Sequence, residues 1–276
     1  GNNLLELLKM PYGKCVPEGR CFDFSWGSMA ILEERLADNN NILERDGVVL
    51  AWVGDLVTDM SGEFVDALIT RIGQIKSYPA NEKISLESDE IFKKLNGAFA
   101  IIAADKRSFS IITDYGNFVQ VYVGLESGGS LISFGTHSDL VSVFTSESLQ
   151  IDVVSAGEFL NAGAPSFPYT MYEKVKELNP ARLYSVEAGE PSPKIRSASY
   201  WMPPAEIRGD YKVDKLAEEL EGVLLSSVRD RCLGEKIGIT LSGGQDSRLI
   251  MAAMPKSVEC VGLTFCDFIN REARIA

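Results

Sequence analysis

Apolar residues recur along this chain with two different periods, and each change of period marks a new element. Cys21-Phe22-Asp23-Phe24-Ser25-Trp26 alternates apolar with polar side chains, the pattern of a half-buried strand. A helix is expected next, from about 28 to 37. Val48-Val49-Leu50-Ala51-Trp52-Val53 is continuously apolar and predicts a buried strand ending at Gly54-Asp55. Phe64, Leu68, Ile69, Ile72 and Ile75 then fall at helical spacing, and 91–95 repeats that spacing more briefly. Ahead of these, Leu4, Leu5, Leu7 and Leu8 give a short amphipathic segment, followed by a loop containing proline and glycine up to Arg20.

From Gly97 to Phe134 the pattern becomes a meander. Apolar runs at 98–103, 109–113, 119–123 and 131–134 are separated by Asp105-Lys106, Asp114-Tyr115-Gly116 and Ser127-Gly128-Gly129, which predicts successive antiparallel hairpins. Short helical stretches (140–144 and 156–160) and a further hairpin (175–178 with 182–186) complete an α+β domain over residues 1–200. Tyr200-Trp201-Met202-Pro203-Pro204 reads as a linker, because two prolines end regular structure. Residues 201–276 then start a second domain, of α/β type, with an amphipathic helix at 213–228. In it, strands at 237–241 and 258–265 flank a helical pattern (Leu249, Ile250, Ala253, Met254), and 270–276 begins another helix. Two parallel strands are too few for a stable sheet, so the chain is expected to be the front of a longer protein.

Composition narrows the function classes. With 45% hydrophobic and 24% charged residues the chain can bury a sizeable core. No apolar run approaches a membrane span and the start lacks a signal-peptide pattern, so a cytoplasmic protein with no membrane partner is expected. Five cysteines at irregular spacing, without a CxxC pair, suggest reduced thiols rather than a disulfide framework or a zinc site. A net charge of −12 without a basic cluster argues against nucleic acid as a partner. The single histidine, His137, precedes an apolar helical stretch and is expected to be structural, near a helix start.

Chemistry concentrates at 236–254. Strand, Ser242-Gly243-Gly244 turn and helix follow directly on one another. At a helix N-terminus, unpaired N–H groups and the positive end of the dipole favour an anion, and two glycines let it approach the backbone. Asp246 next to a polyphosphate implies Mg²⁺ between them, held by one carboxylate and phosphate oxygens. No lysine is present, so this is not the common P-loop. An ordinary βα turn capped by Ser242 or Asp246 remains the alternative.

Ser242-Gly243-Gly244-Gln245-Asp246-Ser247 resembles the SGGxDS pyrophosphate loop of the N-type ATP pyrophosphatases. With Leu95-Asn96-Gly97-Ala98-Phe99-Ala100, Asp114-Tyr115-Gly116, Phe134-Gly135-Thr136-His137, Glu177-Leu178-Asn179-Pro180 and Tyr200-Trp201 preceding it in order, the chain resembles the asparagine synthase family. The resemblance runs from about Cys21 to Ala276. It implies an Ntn-hydrolase-like αββα sandwich of the class II glutamine amidotransferases, then a Rossmann-like ATP pyrophosphatase domain. It implies ATP and Mg²⁺ at Ser242, Gly243, Gly244, Gln245, Asp246 and Ser247, with Leu263, Thr264 and Phe265 near the adenine. By the family pattern (D/R)ExxxA, Glu272 would be the general base, and a surface glutamate is the alternative. The partners implied are a carboxylate substrate and ammonia or an amine; a homodimer is compatible with it.

Departures from the family pattern bear on glutamine. The family's nucleophile is a Cys whose own α-amine is the base, and here residue one is Gly. Cys21 lies where that Cys would, with its nitrogen in a peptide bond. Gly54 and Asp55 fall at the family's oxyanion and substrate-binding stretch, but Val53 replaces the Asn donor. Cys15 and Cys21 are expected to be structural. Three readings stay open: a ligase that adenylates a carboxylate beside an inactive glutaminase domain, as in β-lactam synthetases; a glutamine-hydrolysing asparagine synthetase after removal of a propeptide ending at Arg20; and a non-catalytic relative.

Overall fold

The computed structural model describes residues 2–13, 17–33, 41–76, 84–126, 129, 131–145, 149–187, 195–204, 209, 212–234, 236–266, 268 and 271–275. The chain divides into two compact units, Gly1–Pro203 and Pro204–Ala276. In the first, α1 (Asn2–Lys9) precedes β1 (Gly19–Phe24), β2 (Gly27–Leu32), β3 (Ile42–Arg45), β4 (Val48–Leu56), α2 (Gly62–Lys76) and α3 (Glu90–Lys93). There follow β5 (Gly97–Ala104), β6 (Ser108–Thr113), β7 (Tyr122–Leu125), β8 (Ile132–Gly135), α4 (Ser138–Thr145), α5 (Val153–Ala162), β9 (Val175–Glu177), β10 (Arg182–Glu187) and β11 (Ile195–Ser199). Six strands form one antiparallel sheet in the order β11-β10-β6-β5-β4-β3; β8-β7-β9 form a second, and β1-β2 a hairpin.

Alternation along the central strands builds four layers. Leu50 and Trp52 of β4, Phe99 and Ile101 of β5, Ile112 and Leu183 face α2 and α3, where Phe64, Val65, Leu68, Ile72, Ile75 and Phe92 close the core. The residues in between point to the opposite face. There Val49, Ala51 and Ala104 pack on Phe22, Phe24, Met29 and Ile31 of the hairpin, and Ala100, Ile111 and Tyr184 pack on Val121, Val123, Phe134 and Leu178. Stacked rings of Phe24, Trp26 and Phe109, with Phe134 edge-on to Phe109, join the three sheets. Outside this second β layer α1 covers the hairpin and α4 covers β7 and β8. The order is helix, sheet, sheet, helix, and each fully buried large side chain contributes about 1.5–3 kcal/mol.

Four expectations need correction. Residues 27–32 are strand β2, not helix: Ser28-Met29-Ala30-Ile31 has helical propensity, but pairing with β1 buries Met29 and Ile31 on one face. The part of the expected helix at 34–37 lies outside the described residues. The meander is split, with β5 and β6 in the six-stranded sheet and β7 and β8 in the other. Likewise β9 and β10 form no hairpin, since β9 pairs with β7 and β10 with β6 and β11. Tyr200, read as linker, is a core residue, 2% exposed, against Phe92 and Tyr115. Burial pushes its phenol pKa up, and it donates to Thr113 O.

The crossing between sheets turns on Asp114, which is fully buried. Its carboxylate accepts four backbone N–H groups: Gly116 at 2.9 Å and Phe118 at 3.0 Å on Oδ1, Val119 at 2.9 Å and Phe99 at 3.1 Å on Oδ2. Its own carbonyl accepts from Ala181 N at 2.8 Å.

The second unit contains α6 (Val213–Arg231), β12 (Lys236–Thr240), α7 (Gln245–Ala253), β13 (Glu259–Leu263) and α8 (Arg271–Ile275). β12 and β13 are parallel, in register Lys236↔Glu259 to Thr240↔Leu263, with α7 between them in sequence.

Asp114→Asn puts an NH2 group against N–H donors and leaves at least one of them unpaired. We expect the first unit to lose on the order of 3 kcal/mol, read by urea unfolding followed through tryptophan fluorescence, since Trp26, Trp52 and Trp201 all lie in it. A loss below about 0.5 kcal/mol, the size of an ordinary surface change, would show that the turn holds itself without the carboxylate.

Candidate functional site

β12 ends where the Ser242-Gly243-Gly244 turn begins, and α7 starts at Gln245 with Gly244 as its N-cap, in extended geometry and without a side-chain cap. The serine hydroxyls shape the turn. Gly244 N donates to Ser242 Oγ at 3.3 Å, and Ser242 N donates to Ser247 Oγ at 3.2 Å; the two hydroxyls lie 3.2 Å apart. Neither hydroxyl caps the first helical turn, so its backbone N–H groups remain directed at the loop. Asp246 is exposed in that turn.

Parallel pairing sets the far wall. Leu241 N donates to Leu263 O at 2.8 Å, and Thr264 Oγ1 donates to Leu241 O at 3.1 Å. The two strands therefore present Ser242–Ser247 and Leu263-Thr264 at one edge, their C-terminal one, where ligands of open α/β sheets sit. Phe265 follows and is exposed. Glu272 lies on α8, and its side chain is outside the described residues. Arg248, which carries no part of the loop signature, donates from Nε to Gly244 O at 3.0 Å. Its place one turn into the helix was the available signal, since long helical side chains lean towards the N-terminus.

In the first unit Cys21 lies in β1, and Gly54 and Asp55 lie near the end of β4. Cys21 pairs with Ala30 in the hairpin and alternates with Phe22 and Phe24, whose rings face the six-stranded sheet; its thiol faces the α1 side. Burial pushes that thiol above its ordinary pKa and the Asp23 carboxylate adds to the shift, the opposite of an activated nucleophile. Val53 packs in the cluster of Phe22, Phe24, Trp26, Ile102 and Phe109, an apolar filling where an oxyanion donor would stand. Gly54 has φ of +92°, and a Cβ there would lie 2.3 Å from Ala98 O, so its identity is set by backbone approach. Asp55 is exposed, opposite Ala98. Cys15 lies outside the described residues. His137 stands immediately before α4, its carbonyl accepting from Val141 N, which is the structural place expected for it.

Among the described residues no group of three or more His, Cys, Asp or Glu gathers to hold a metal, and no helix is long and apolar enough to cross a membrane. No protein-family model and no curated protein matches the chain. Solved structures do. One is the glutamine phosphoribosylpyrophosphate amidotransferase from B. subtilis complexed with ADP and GMP, with 13% identity and a TM-score of 0.32 over 85% of this chain and 51% of that one. Another is an allosteric regulatory enzyme of purine biosynthesis, with 12% identity and a TM-score of 0.32 over 89% and 53%. The chain spans about half the length of these structures. At scores this low, the functional reading comes from the chain's own geometry.

The filled cluster around Val53 predicts no glutaminase. Incubation with glutamine should release no glutamate above the buffer rate, and Cys21→Ala should change nothing. Glutamate release abolished by Cys21→Ala would overturn this.

Proposed function

We propose that the chain belongs to an ATP-dependent carbon–nitrogen ligase of asparagine-synthase type, its first unit an Ntn-type amidotransferase-like domain that has lost glutamine hydrolysis. One observation carries it: the SGGQDS loop lies at the C-terminal edge of two parallel strands and opens a helix without a side-chain cap. The four-layer helix-sheet-sheet-helix order of the first unit supports the domain assignment.

The first-turn N–H groups and Ser242 to Ser247 would hold the β and γ phosphates, and Leu263 to Phe265 would lie beside the adenine. Asp246, exposed in the first turn, fits Mg²⁺ shared with phosphate oxygens; the ion would neutralise the charge of the departing pyrophosphate. A carboxylate oxygen of the substrate attacks the α phosphorus and pyrophosphate leaves. An amine or ammonia then attacks the acyl carbon, its proton passes to a base, and AMP leaves. Glu272 is the base in this reading.

The propeptide alternative meets a physical obstacle at Arg20–Cys21. That bond lies inside β1, with Arg20 opposite Ile31, ion-paired to Glu44 and stacked on Phe22. Cutting it would require the hairpin to come apart.

Calorimetry on the full-length protein tests the phosphate assignment. Asp246→Ala should weaken Mg·ATP binding by roughly 10-fold or more, the scale of one charge-assisted interaction; unchanged affinity removes the role given to Asp246. For the base, Glu272→Gln should leave ATP affinity intact and lower product formation by roughly 100-fold or more. A loss of only a few-fold would return Glu272 to the surface.

A further inference from the structure

Helix α5 is apolar round most of its circumference, and a helix of that composition belongs in an interior. Yet of its residues only Ser155 is buried, while Val153, Val154 and Leu160 are 81%, 73% and 85% exposed and Phe159 is half exposed. Its one charged residue, Glu158, is engaged within the chain, accepting from Ser166 N at 2.8 Å and Ser166 Oγ at 3.1 Å. Those bonds hold the next stretch beside the helix, where Phe167 and Tyr169 are half exposed too.

Gly157 lies in the middle of the outer face, four residues after Val153 and three before Leu160, spacings that share one side of a helix. The fold gives no reason for it. A Cβ there would meet nothing within 4 Å, and glycine is the poorest helix former apart from proline. A gap between two large apolar side chains lets another helix come close. The pattern is also self-complementary: α5 laid antiparallel on its own copy, crossing at Gly157, sets Val153 of each copy against Leu160 of the other, the reciprocal contacts of an isologous pair.

Size and charge fit the same occupant. These apolar side chains expose about 500 Å² per copy, and a standard interface takes roughly 800 Å² from each partner, a little over half of it apolar. With a net charge of −12 two copies repel, and least where a face carries no free charge, as α5 does.

We infer that α5 is the interface between two copies of this chain, crossing antiparallel at Gly157. This is independent of the ATP reading of the second unit. Size-exclusion chromatography with light scattering, on the full-length protein over a range of concentrations, should give a dimer for wild type. Gly157→Glu brings two carboxylates together at the crossing and should raise the dissociation constant by roughly 100-fold or more, the scale of like charges juxtaposed in an interface. Circular dichroism should show that variant folded, because a side chain at 157 has open space and glutamate favours helix. The double variant Val153→Cys with Leu160→Cys, oxidised, should link two copies, and neither single variant should. Wild type that stays monomeric at every concentration would overturn the inference, and so would a dimer that Gly157→Glu leaves intact, since the interface then lies elsewhere. Single variants that link as readily as the double one would overturn the antiparallel crossing.

Discussion

Two β layers of the first unit exist because one buried carboxylate lets the chain leave the first and enter the second. A strand that ends inside a core strands its backbone N–H groups away from water, and each one left unpaired costs about 1–3 kcal/mol. Asp114 gathers four of them at the end of β6: Phe99 from the neighbouring strand and Gly116, Phe118 and Val119 from the departing turn. Through Ala181 N on its carbonyl it also fixes the corner that leads into β10. Tyr200, donating to the carbonyl of Thr113, closes the same corner from the end of the unit.

That arrangement has consequences for chemistry. The space between the β layers is occupied by aromatic and branched side chains, with Val53 among them. The second unit is built the other way. Ser242, Gly244, Gln245 and Asp246 of its loop are exposed, its helix starts without a side-chain cap, and its serine hydroxyls are spent on the turn rather than on the helix end. The first unit is filled between its β layers, whereas the loop of the second is open and polar.

Long periodic segments were legible in the sequence, because α2 and β4 bury one face or both and nothing competes with that. The loop from Ser242 to Ser247 was legible too, since its glycines and hydroxyls are local requirements. What the sequence hid was pairing over distance. Residues 28–31 favour a helix locally and become strand only because β1 lies beside them. Asp114-Tyr115-Gly116 looks like a hairpin turn, and whether such a turn returns the chain to the same sheet depends on donors contributed by Phe99, fifteen residues earlier.

The order of the strands also sets a schedule for synthesis. β6 emerges with β5 already beside it, but its other neighbour is β10, which follows β7, β8 and β9. Until β10 arrives, the growing chain carries β6 as an open edge, with Ile111 and Ile112 in the row that β10 will later close. Non-local closure of this kind is slow and leaves pairing groups available to other chains. The first unit therefore has a window, ending only when residue 187 has left the ribosome, in which its most buried sheet is also its most vulnerable one to aggregation.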